Sequence, residues 1–297
     1  MTKIDRAGTC EIAGKRVSRL GFGTMRLTGR GIWGEPADRD ECVAVLRRAV
    51  ELGVQFIDTA DSYGPNVAEE IIRVALHPYA DEVVIATKAG LTRNGPDVID
   101  TGSGVRRLGP AAWPPVGRPE YLRQQALMSL RRLGLDQIDL FQLHRIDPKV
   151  PLADQVGEQG STGRGKDRGH RPIPGYARRA RRGTGSRRHR YRSKPVQPQR
   201  PQRAGRARGV RAGRNGADPL GAAGPGRPRR EEGPLAMIAQ RHDATVGQVA
   251  LAWLLAVSAN ILPIPGTSQR KHLEDNLAAA ELQLSPGEIA ELSADTQ

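Results

Sequence analysis

Apolar and polar positions follow two alternating periodicities along the first half of the chain. Three short, mostly apolar runs are typical of buried strands, at 54–57, 83–87 and 138–143. Around them, apolar side chains recur at helical spacing over 41–52, 68–76 and 119–133. Strands that are separated by helical crossovers pair in parallel, so the pattern predicts an α/β fold built on a parallel sheet.

Outside this alternation the pattern predicts a hairpin near the N-terminus and a second ordered region near the C-terminus. The hairpin covers 10–18, with Ala13 and Gly14 near its turn, and a buried strand over 20–25 follows it. A long loop rich in proline and glycine is predicted from 89 to 118. The C-terminal region is predicted to contain helices from 233, over 245–257 and over 271–280, and a short strand over 261–264.

Each of the three predicted strands leads into a residue that can take part in acid–base chemistry. Asp58 follows the first, Lys88 the second and His144 the third, and Tyr63 stands five residues after Asp58. In a parallel α/β barrel the carboxyl ends of the strands meet at one face, where active sites lie. The spacing therefore predicts an enzyme that brings these four residues together.

The four residues form a set suited to proton transfer. A phenol with a pKa near ~10 is a poor acid at neutral pH, and a nearby ammonium group would lower that value. We expect Lys88 to supply this charge to Tyr63, with Asp58 holding the lysine in place. His144 would donate a hydrogen bond to a substrate carbonyl. Taken singly, the four also fit a turn aspartate, a rim tyrosine, a solvated lysine and a structural histidine, so their joint placement carries the prediction.

A second candidate site stands before the last predicted helix. Gly266, Thr267 and Ser268 offer free N–H groups at a helix start and two hydroxyl groups, and Arg270 adds a positive charge. This combination favours a phosphate group, although an ordinary capped turn fits it equally well. The glycines at 21 and 23 do not complete a Rossmann fingerprint, because Arg26 stands where a third glycine is needed.

The charge of the chain is concentrated in one segment. The formal net charge is +14, but residues 160–230 hold 22 basic and 2 acidic residues, while the remainder holds 24 basic and 30 acidic ones. Of the larger apolar residue types the segment contains six: Ile173, Tyr176, Tyr191, Val196, Val210 and Leu220. So few apolar side chains do not offset the entropy of ordering 71 residues. We therefore predict that 160–230 is disordered.

Cysteine content and hydropathy predict a soluble protein of a reducing compartment. The two cysteines, Cys10 and Cys42, do not make a disulfide framework. No apolar run reaches the about 20 residues of a membrane span, and the N-terminal residues lack the apolar core of a signal peptide. We expect a cytoplasmic protein with no membrane partner.

Five stretches together resemble the aldo-keto reductases. They lie at 21–25, 56–64, 86–88, 129–144 and 264–276. The resemblance covers about 10–158 and 233–292. It implies a (β/α)8 TIM barrel with an N-terminal β-hairpin, forming a single domain over 1–297, and the NADPH-dependent reduction of an aldehyde or ketone. The stretches at 64–70 and 77–79 are most similar to bacterial members near the pyridoxal-reductase type.

The resemblance also implies roles for individual residues. Tyr63 would be the general acid, Lys88 and Asp58 would tune its acidity, and His144 would orient the carbonyl. The cofactor would be held by Thr24, Met25 and Asp58 near the nicotinamide ribose, and by Gly266, Thr267, Ser268, Arg270, His272, Asp275 and Asn276 at the adenosine end. Within the second group, Ser268, Arg270 and His272 would meet the 2′-phosphate, and Asp275 and Asn276 the adenine.

The segment 160–230 departs from the family pattern. It occupies the place of strands five to seven but lacks the Ser-Asn pair and the stacking aromatic residue that the family places there. Our hypothesis is a pair of compensating frameshifts, near 159–160 and 230–231, because GC-rich codons translated out of frame yield arginine, glycine, proline and alanine. The barrel would then be disrupted or disordered across 160–230.

Three functions remain open from the sequence. The first is the NADPH-dependent carbonyl reductase, acting on a small molecule whose identity the sequence does not specify. Trp33 and Trp113 are candidates for its pocket mouth, although surface packing explains them equally well. The second is an inactive remnant of that enzyme. The third is nucleic-acid binding by 160–230, for which we expect non-specific attraction to polyanions rather than a specific site.

Overall fold

The observed elements follow the predicted alternation closely in the first half of the chain. The computed structural model describes residues 3–101, 104–156 and 233–294, which belong to one compact unit. The strands of this part are β1 (Thr9–Ile12), β2 (Lys15–Ser18), β3 (Phe22–Gly23), β4 (Phe56–Asp58), β5 (Val84–Ala89), β6 (Val98–Thr101), β7 (Gly104–Arg107) and β8 (Leu140–Leu143). The helices are α1 (Arg39–Glu51), α2 (Val67–Leu76), α3 (Pro119–Leu133), α4 (Leu152–Val156), α5 (Pro234–Arg241), α6 (Val246–Val257), α7 (Arg270–Ala278) and α8 (Pro286–Ala294).

The N-terminal hairpin forms as predicted. β1 and β2 pair in antiparallel register, with Cys10 opposite Val17. Both turn residues have positive φ, 53° at Ala13 and 76° at Gly14. A two-residue turn of this hand matches the twist of the flanking strands, which is why the Ala-Gly pair closes the hairpin.

A parallel sheet carries the candidate catalytic residues at one edge. Its strand order is β3-β4-β5-β8, and all three pairings are parallel. Helices α1, α2 and α3 connect these strands in chain order, as crossovers between parallel strands require. Asp58 ends β4, Lys88 stands one residue before the end of β5, and His144 directly follows β8. The topology therefore brings all three to the carboxyl edge of the sheet.

The helices begin and end where local chemistry stabilises their termini. The side chain of Asp38 accepts a hydrogen bond from the Glu41 N–H at 2.8 Å and caps the start of α1. α3 begins with Pro119, whose missing N–H costs nothing in the first turn. It ends at Gly134, whose φ of 72° lies in the left-handed region that glycine adopts without strain.

The main core lies between the sheet and the crossover helices. Its fully buried members include Leu46 of α1, Ile57 of β4, Ile71 of α2, Ile85 of β5 and Leu133 of α3. Burying a side chain of this size contributes about 1.5–3 kcal/mol. The same apolar positions that predicted the helices and strands therefore attach the crossovers to the sheet.

Two predictions about the loops are corrected by the structure. The region predicted as a loop over 89–118 contains the antiparallel pair β6 and β7 and a short 3-10 helix at Gly109–Ala112. Residues 261–264, predicted as a strand, are not one. They lie alongside β3, because the N–H groups of Gly21 and Gly23 donate to the carbonyl oxygens of Pro263 and Pro265 at 2.9 and 3.4 Å. Proline has no N–H to donate in return, so the ladder stays incomplete.

Glycine is required where this segment passes β3. A β-carbon added to Gly266 would lie 2.3 Å from the carbonyl oxygen of Gly23, which no side chain tolerates. This close approach holds the loop before α7 against the first strand of the sheet.

The predicted disorder and the proposed frame changes fall on 160–230, which lies outside the described residues. Within the residues that are described, no helix is both long enough and apolar enough to cross a membrane.

Candidate active site

Asp58 and Lys88 form an ion pair across neighbouring strands. β4 and β5 pair in parallel with Asp58 opposite Ala86, so Lys88 lies two residues further along β5. Its ammonium group donates to the Asp58 carboxylate, and to the carbonyl oxygen of Thr59 at 2.9 Å. The Lys88 side chain is 15% exposed and that of Asp58 8%. Lys88 is therefore a buried, directed ammonium group rather than a solvated lysine.

Tyr63 lies in the turn that follows β4. Its N–H donates to the carbonyl oxygen of Ala60 at 3.2 Å, and its side chain is buried. The Lys88 ammonium lies 5.3 Å from the centre of the phenol ring. Burial raises the pKa of Tyr63 above its ordinary value, while the charge of Lys88 and a hydrogen bond to it act in the opposite direction. Lys88 therefore acts as predicted, but burial outweighs it, and the net shift is upward where the sequence predicted a lowered pKa.

Burial and neighbouring groups shift the pKa values of both members of the ion pair. Burial is the largest influence on the pKa of Lys88 and acts to lower it, but Tyr63 and Asp58 together raise it above its ordinary value. Burial raises the pKa of Asp58, and the charge of Lys88 opposes that rise. Lys88 therefore stays protonated at neutral pH beside a phenol that also keeps its proton.

His144 faces Tyr63 from the end of β8, which is separated from β4 by β5. The backbone N–H of His144 donates to the carbonyl oxygen of Ala89 at 2.8 Å, which extends the pairing of β8 with β5. The imidazole meets the phenol ring edge-on, with centroids 5.7 Å apart. Burial, then the charges of Lys88 and Arg145, lower the pKa of His144 to about 3. The ring is neutral at pH 7, so it carries one N–H that can donate to a carbonyl oxygen.

Two residues of the site were missed by the sequence analysis. The Ser62 hydroxyl lies 3.3 Å from Nδ1 of His144, so it can fix the tautomer of that ring. The Asp61 carboxyl is buried, and its Oδ1 has no hydrogen-bond partner. Burial, followed by the charge of Glu69, raises the pKa of Asp61 to about 7. Nothing in the local pattern distinguishes these two residues from turn residues, because their role depends on the neighbouring strands.

The residues predicted at the nicotinamide end lie beside the acid–base set. The N–H and the hydroxyl of Thr24 both donate to the carbonyl oxygen of Asp58, at 3.0 and 3.1 Å. Met25 packs against a cluster of Ala60, Tyr63 and Ala68. The fold therefore joins the carboxyl ends of β3 and β4 at one place.

The residues predicted at the adenosine end gather around the start of α7. The Thr267 hydroxyl accepts from the Gln269 N–H at 3.1 Å, while Ser268 is partly exposed. The Arg270 guanidinium is paired with Glu41 of α1 at 3.1 Å, and the backbone N–H of Arg270 donates to the same carboxylate. Gly266 is the glycine that packs against β3, and His272 is exposed.

Asp275 and Asn276 lie further along α7 and are partly buried. The Asp275 carboxylate is 3.2 Å from Lys271, and its carbonyl oxygen accepts from Gln248. The side chain of Gln269, which precedes α7, caps none of its N–H groups. The start of α7 therefore offers N–H groups and an exposed His272 to an anion, although Glu41 already holds Arg270.

Comparison with known proteins decides the family. The sequence profile of the aldo/keto reductase family matches residues 19–160 and 190–294. The chain belongs to the aldo/keto reductase family. An uncharacterized oxidoreductase of Schizosaccharomyces pombe is 39% identical over 294 residues, which span 97% of this chain and 89% of that protein. The pyridoxine 4-dehydrogenase of Escherichia coli is 34% identical over 292 residues, spanning 94% of this chain and 95% of that enzyme.

The family match shortens the stretch of sequence that departs from the family pattern. We set 160–230 apart from the family, but the match resumes at residue 190. The stretch outside it within that segment is 161–189.

Solved structures of aldo-keto reductases share the fold. A thermostable aldo-keto reductase crystallised with the inhibitor epalrestat is 21% identical, with a TM-score of 0.59 and coverage of 96% of this chain and 98% of that one. An aldo-keto reductase of Klebsiella pneumoniae in complex with NADPH is 20% identical, with a TM-score of 0.54 and coverage of 95% of this chain and 92% of that one. The parallel α/β sheet is thus that of the family, whose membership implies a (β/α)8 barrel and oxidoreductase chemistry.

Proposed function

We propose that this protein is an NADPH-dependent reductase of aldehydes or ketones on a (β/α)8 barrel, with Tyr63 as the general acid. The observation that carries the proposal is the buried cluster of Tyr63, Lys88, Asp58 and His144 at the carboxyl edge of the sheet. Family membership supports carbonyl reduction with a nicotinamide cofactor in general.

The cluster supplies the proton and the hydrogen bond that carbonyl reduction needs. NADPH, when bound, supplies a hydride to the carbonyl carbon. Tyr63 keeps its proton at neutral pH and releases it to the carbonyl oxygen as negative charge develops there. The adjacent Lys88 ammonium stabilises the phenolate left behind, and Asp58 keeps that ammonium in place. Neutral His144 donates a hydrogen bond to the same oxygen before the transfer.

The start of α7 supports a phosphate-bearing cofactor. A helix start attracts anions, and beside the Glu41 carboxylate, which already accepts from the backbone N–H of Arg270, Ser268 and His272 stand with side chains open to a ligand. Thr24 and Met25 support the nicotinamide end, because they lie against Asp58 and the Tyr63 cluster. The complex of the Klebsiella pneumoniae aldo-keto reductase with NADPH supports the same cofactor here.

Loss of NADPH absorbance in the presence of an aldehyde tests the proposal directly. The wild-type chain is assayed with 4-nitrobenzaldehyde and with pyridoxal, the second because of the likeness to pyridoxine 4-dehydrogenase. We expect turnover by the wild type and a fall in kcat of about 10²–10⁴-fold in Tyr63→Phe, since one general acid contributes that much. NADPH affinity, measured by fluorescence titration, should stay unchanged in the variant.

Tyr79→Phe is the matched control. Its phenol is also partly buried and donates to the Leu133 carbonyl at 2.6 Å, but it precedes β5 and lies away from the carboxyl edge. This variant should keep full turnover. A Tyr63→Phe variant with wild-type kcat would refute Tyr63 as the acid. A wild-type chain that binds NADPH and reduces no carbonyl would instead indicate an inactive remnant.

A further inference from the structure

The guanidinium of Arg93 lies between two indole rings beside the candidate active site. Its central carbon is 3.5 Å from the centre of the Trp113 ring and 5.5 Å from that of Trp33. A planar guanidinium stacks on aromatic faces in a way that a lysine ammonium does not. We call Arg93, Trp33 and Trp113 the Arg93 clamp.

Backbone pairing brings Arg93 opposite Trp113. The N–H of Thr92 donates to the carbonyl oxygen of Pro114 at 2.9 Å, and that of Asn94 to the carbonyl oxygen of Ala112 at 3.2 Å. These bonds join the segment after β5 to the segment before α3. The backbone register therefore fixes Arg93 and Trp113 opposite each other, and the stack follows from that placement.

Arg93 also ties three segments together through carbonyl oxygens. Its Nη1 donates to Ile32 at 2.5 Å and to Ser62 at 3.1 Å, and its Nη2 donates to Gly31 at 2.9 Å and to Gly95 at 3.0 Å. Burial lowers the pKa of Arg93 to about 10, and the charge of Asp97 opposes this shift. The group is therefore still a cation at neutral pH, held by neutral acceptors and by the two indoles.

The clamp meets the acid–base set at two points. The Trp113 ring lies 6.4 Å from the His144 ring and packs against the cluster that contains Tyr63. Ser62, whose carbonyl oxygen accepts from Arg93, places its hydroxyl 3.3 Å from Nδ1 of His144. Arg93 thus holds two neighbours of the imidazole, Trp113 and Ser62, without touching the imidazole itself.

We propose that Arg93 is a positioning residue that holds Trp33 and Trp113 as a rigid wall beside Tyr63 and His144, against which the carbonyl substrate binds. The proposal rests on the proposed reductase function. Without the guanidinium, the wall and the segment at 91–94 gain freedom, and substrate binding has to restrict that freedom. The cost falls on the carbonyl substrate, because the hydrogen bonds of the Arg93 guanidinium go to backbone carbonyl oxygens at 31–32, 62 and 95 and not to Thr24 or α7.

The first measurement compares KM with NADPH affinity in Arg93→Met. We expect KM for 4-nitrobenzaldehyde to rise about 10-fold or more, since loss of a prepared geometry costs this much or more. The dissociation constant for NADPH should stay within about 2-fold of wild type, because the hydrogen bonds of Arg93 go to Gly31, Ile32, Ser62 and Gly95 rather than to the predicted cofactor residues. Arg30→Met is the control, because Arg30 is an exposed arginine paired with Asp100 and should leave both constants unchanged.

The second measurement reports on the wall itself. In a Trp253→Phe background the remaining indoles are Trp33 and Trp113, and acrylamide quenching of their fluorescence measures how freely they move. We expect quenching to rise clearly in Arg93→Met and to stay raised in Arg93→Lys, because lysine lacks the planar face.

The outcomes separate the clamp from the proposed function. Unchanged KM and unchanged quenching in Arg93→Met would overturn the proposal, and so would full restoration of both by Arg93→Lys. A variant in which NADPH affinity and the unfolding midpoint both fall while KM rises would also overturn it, since Arg93 would then only hold the fold. If the wild type reduces no carbonyl, the proposed function fails, and quenching alone decides whether Arg93 holds the wall.

Discussion

Asp61 makes the stability of this protein depend on pH in a direction that can be measured. Its carboxyl is buried with one oxygen unpartnered, and burial together with the charge of Glu69 raises its pKa from 3.8 to about 7. Between these values the folded chain binds a proton that the unfolded chain has released. The free energy of unfolding therefore falls as pH rises from about 4 to about 7. At about 1.4 kcal/mol per pKa unit, the full loss is about 4 kcal/mol.

Replacing Asp61 by asparagine removes this dependence. The amide has nearly the shape of the protonated carboxyl and never ionises. The cost of an unpartnered polar group is common to both, so it does not depend on pH. We expect Asp61→Asn to be more stable than wild type by about 4 kcal/mol at pH 8, and to differ from it by about 1 kcal/mol at pH 4.5.

Urea unfolding followed by tryptophan fluorescence at the two pH values measures this difference. Asp136→Asn is the control, because Asp136 is exposed and its replacement should change stability by less than about 0.5 kcal/mol at either pH. Equal effects of Asp61→Asn at pH 4.5 and pH 8 would refute the reasoning. A variant less stable than wild type at pH 8 would also do so, since the carboxylate would then be stabilised by contacts in the fold.

Three further predictions concern packing, buried charge and the basic segment. Gly266→Ala should lower the free energy of unfolding by about 1–3 kcal/mol or more, because the added β-carbon clashes with the backbone of Gly23. Gly287→Ala in α8, where the added β-carbon meets open space, should raise it by about 0.5–1 kcal/mol. Thermal unfolding of the two variants tests both signs. Arg132→Met should cost about 3–5 kcal/mol because it removes the only cation paired with the buried Glu69 carboxylate among the described residues, at 2.5 Å, and leaves that group the Thr87 hydroxyl alone; urea unfolding would show no loss if this is wrong. The full chain should retain DNA on filters at low salt and release it steeply as salt rises, because 160–230 carries 22 basic residues; salt-independent retention would contradict this.

Local chemistry accounts for much of what the sequence predicted correctly. The hairpin at the N-terminus depends on two turn residues, and α1 and α3 depend on Asp38, Pro119 and Gly134 at their ends. Such signals act over a few residues, so they can be recognised without the fold. The parallel sheet follows from the same pattern, because strands alternating with helical crossovers have few other ways to bury their apolar faces.

The predictions that failed depend on partners distant in sequence. Residues 261–264 have the composition of a strand and lie alongside β3, but Pro263 and the following Pro265 have no N–H to donate, so the ladder stays incomplete. The hairpin within 89–118 forms where the pattern indicated only a loop. The pKa of Tyr63 rises because burial outweighs the charge of Lys88, and the degree of burial is a property of the packed molecule.

The sequence by itself determined which residues we propose to carry the chemistry and the order in which they follow the strands. Asp58, Lys88 and His144 were placed by strand ends alone, and the family motifs agreed with that placement. Only the tertiary structure decided the state of these groups, because desolvation and Coulomb interactions depend on distances across strands. It also decided that Ser62, Asp61 and Arg93 belong around the same site. Their contacts join segments about 30 to 80 residues apart, beyond the range over which a periodic pattern carries information.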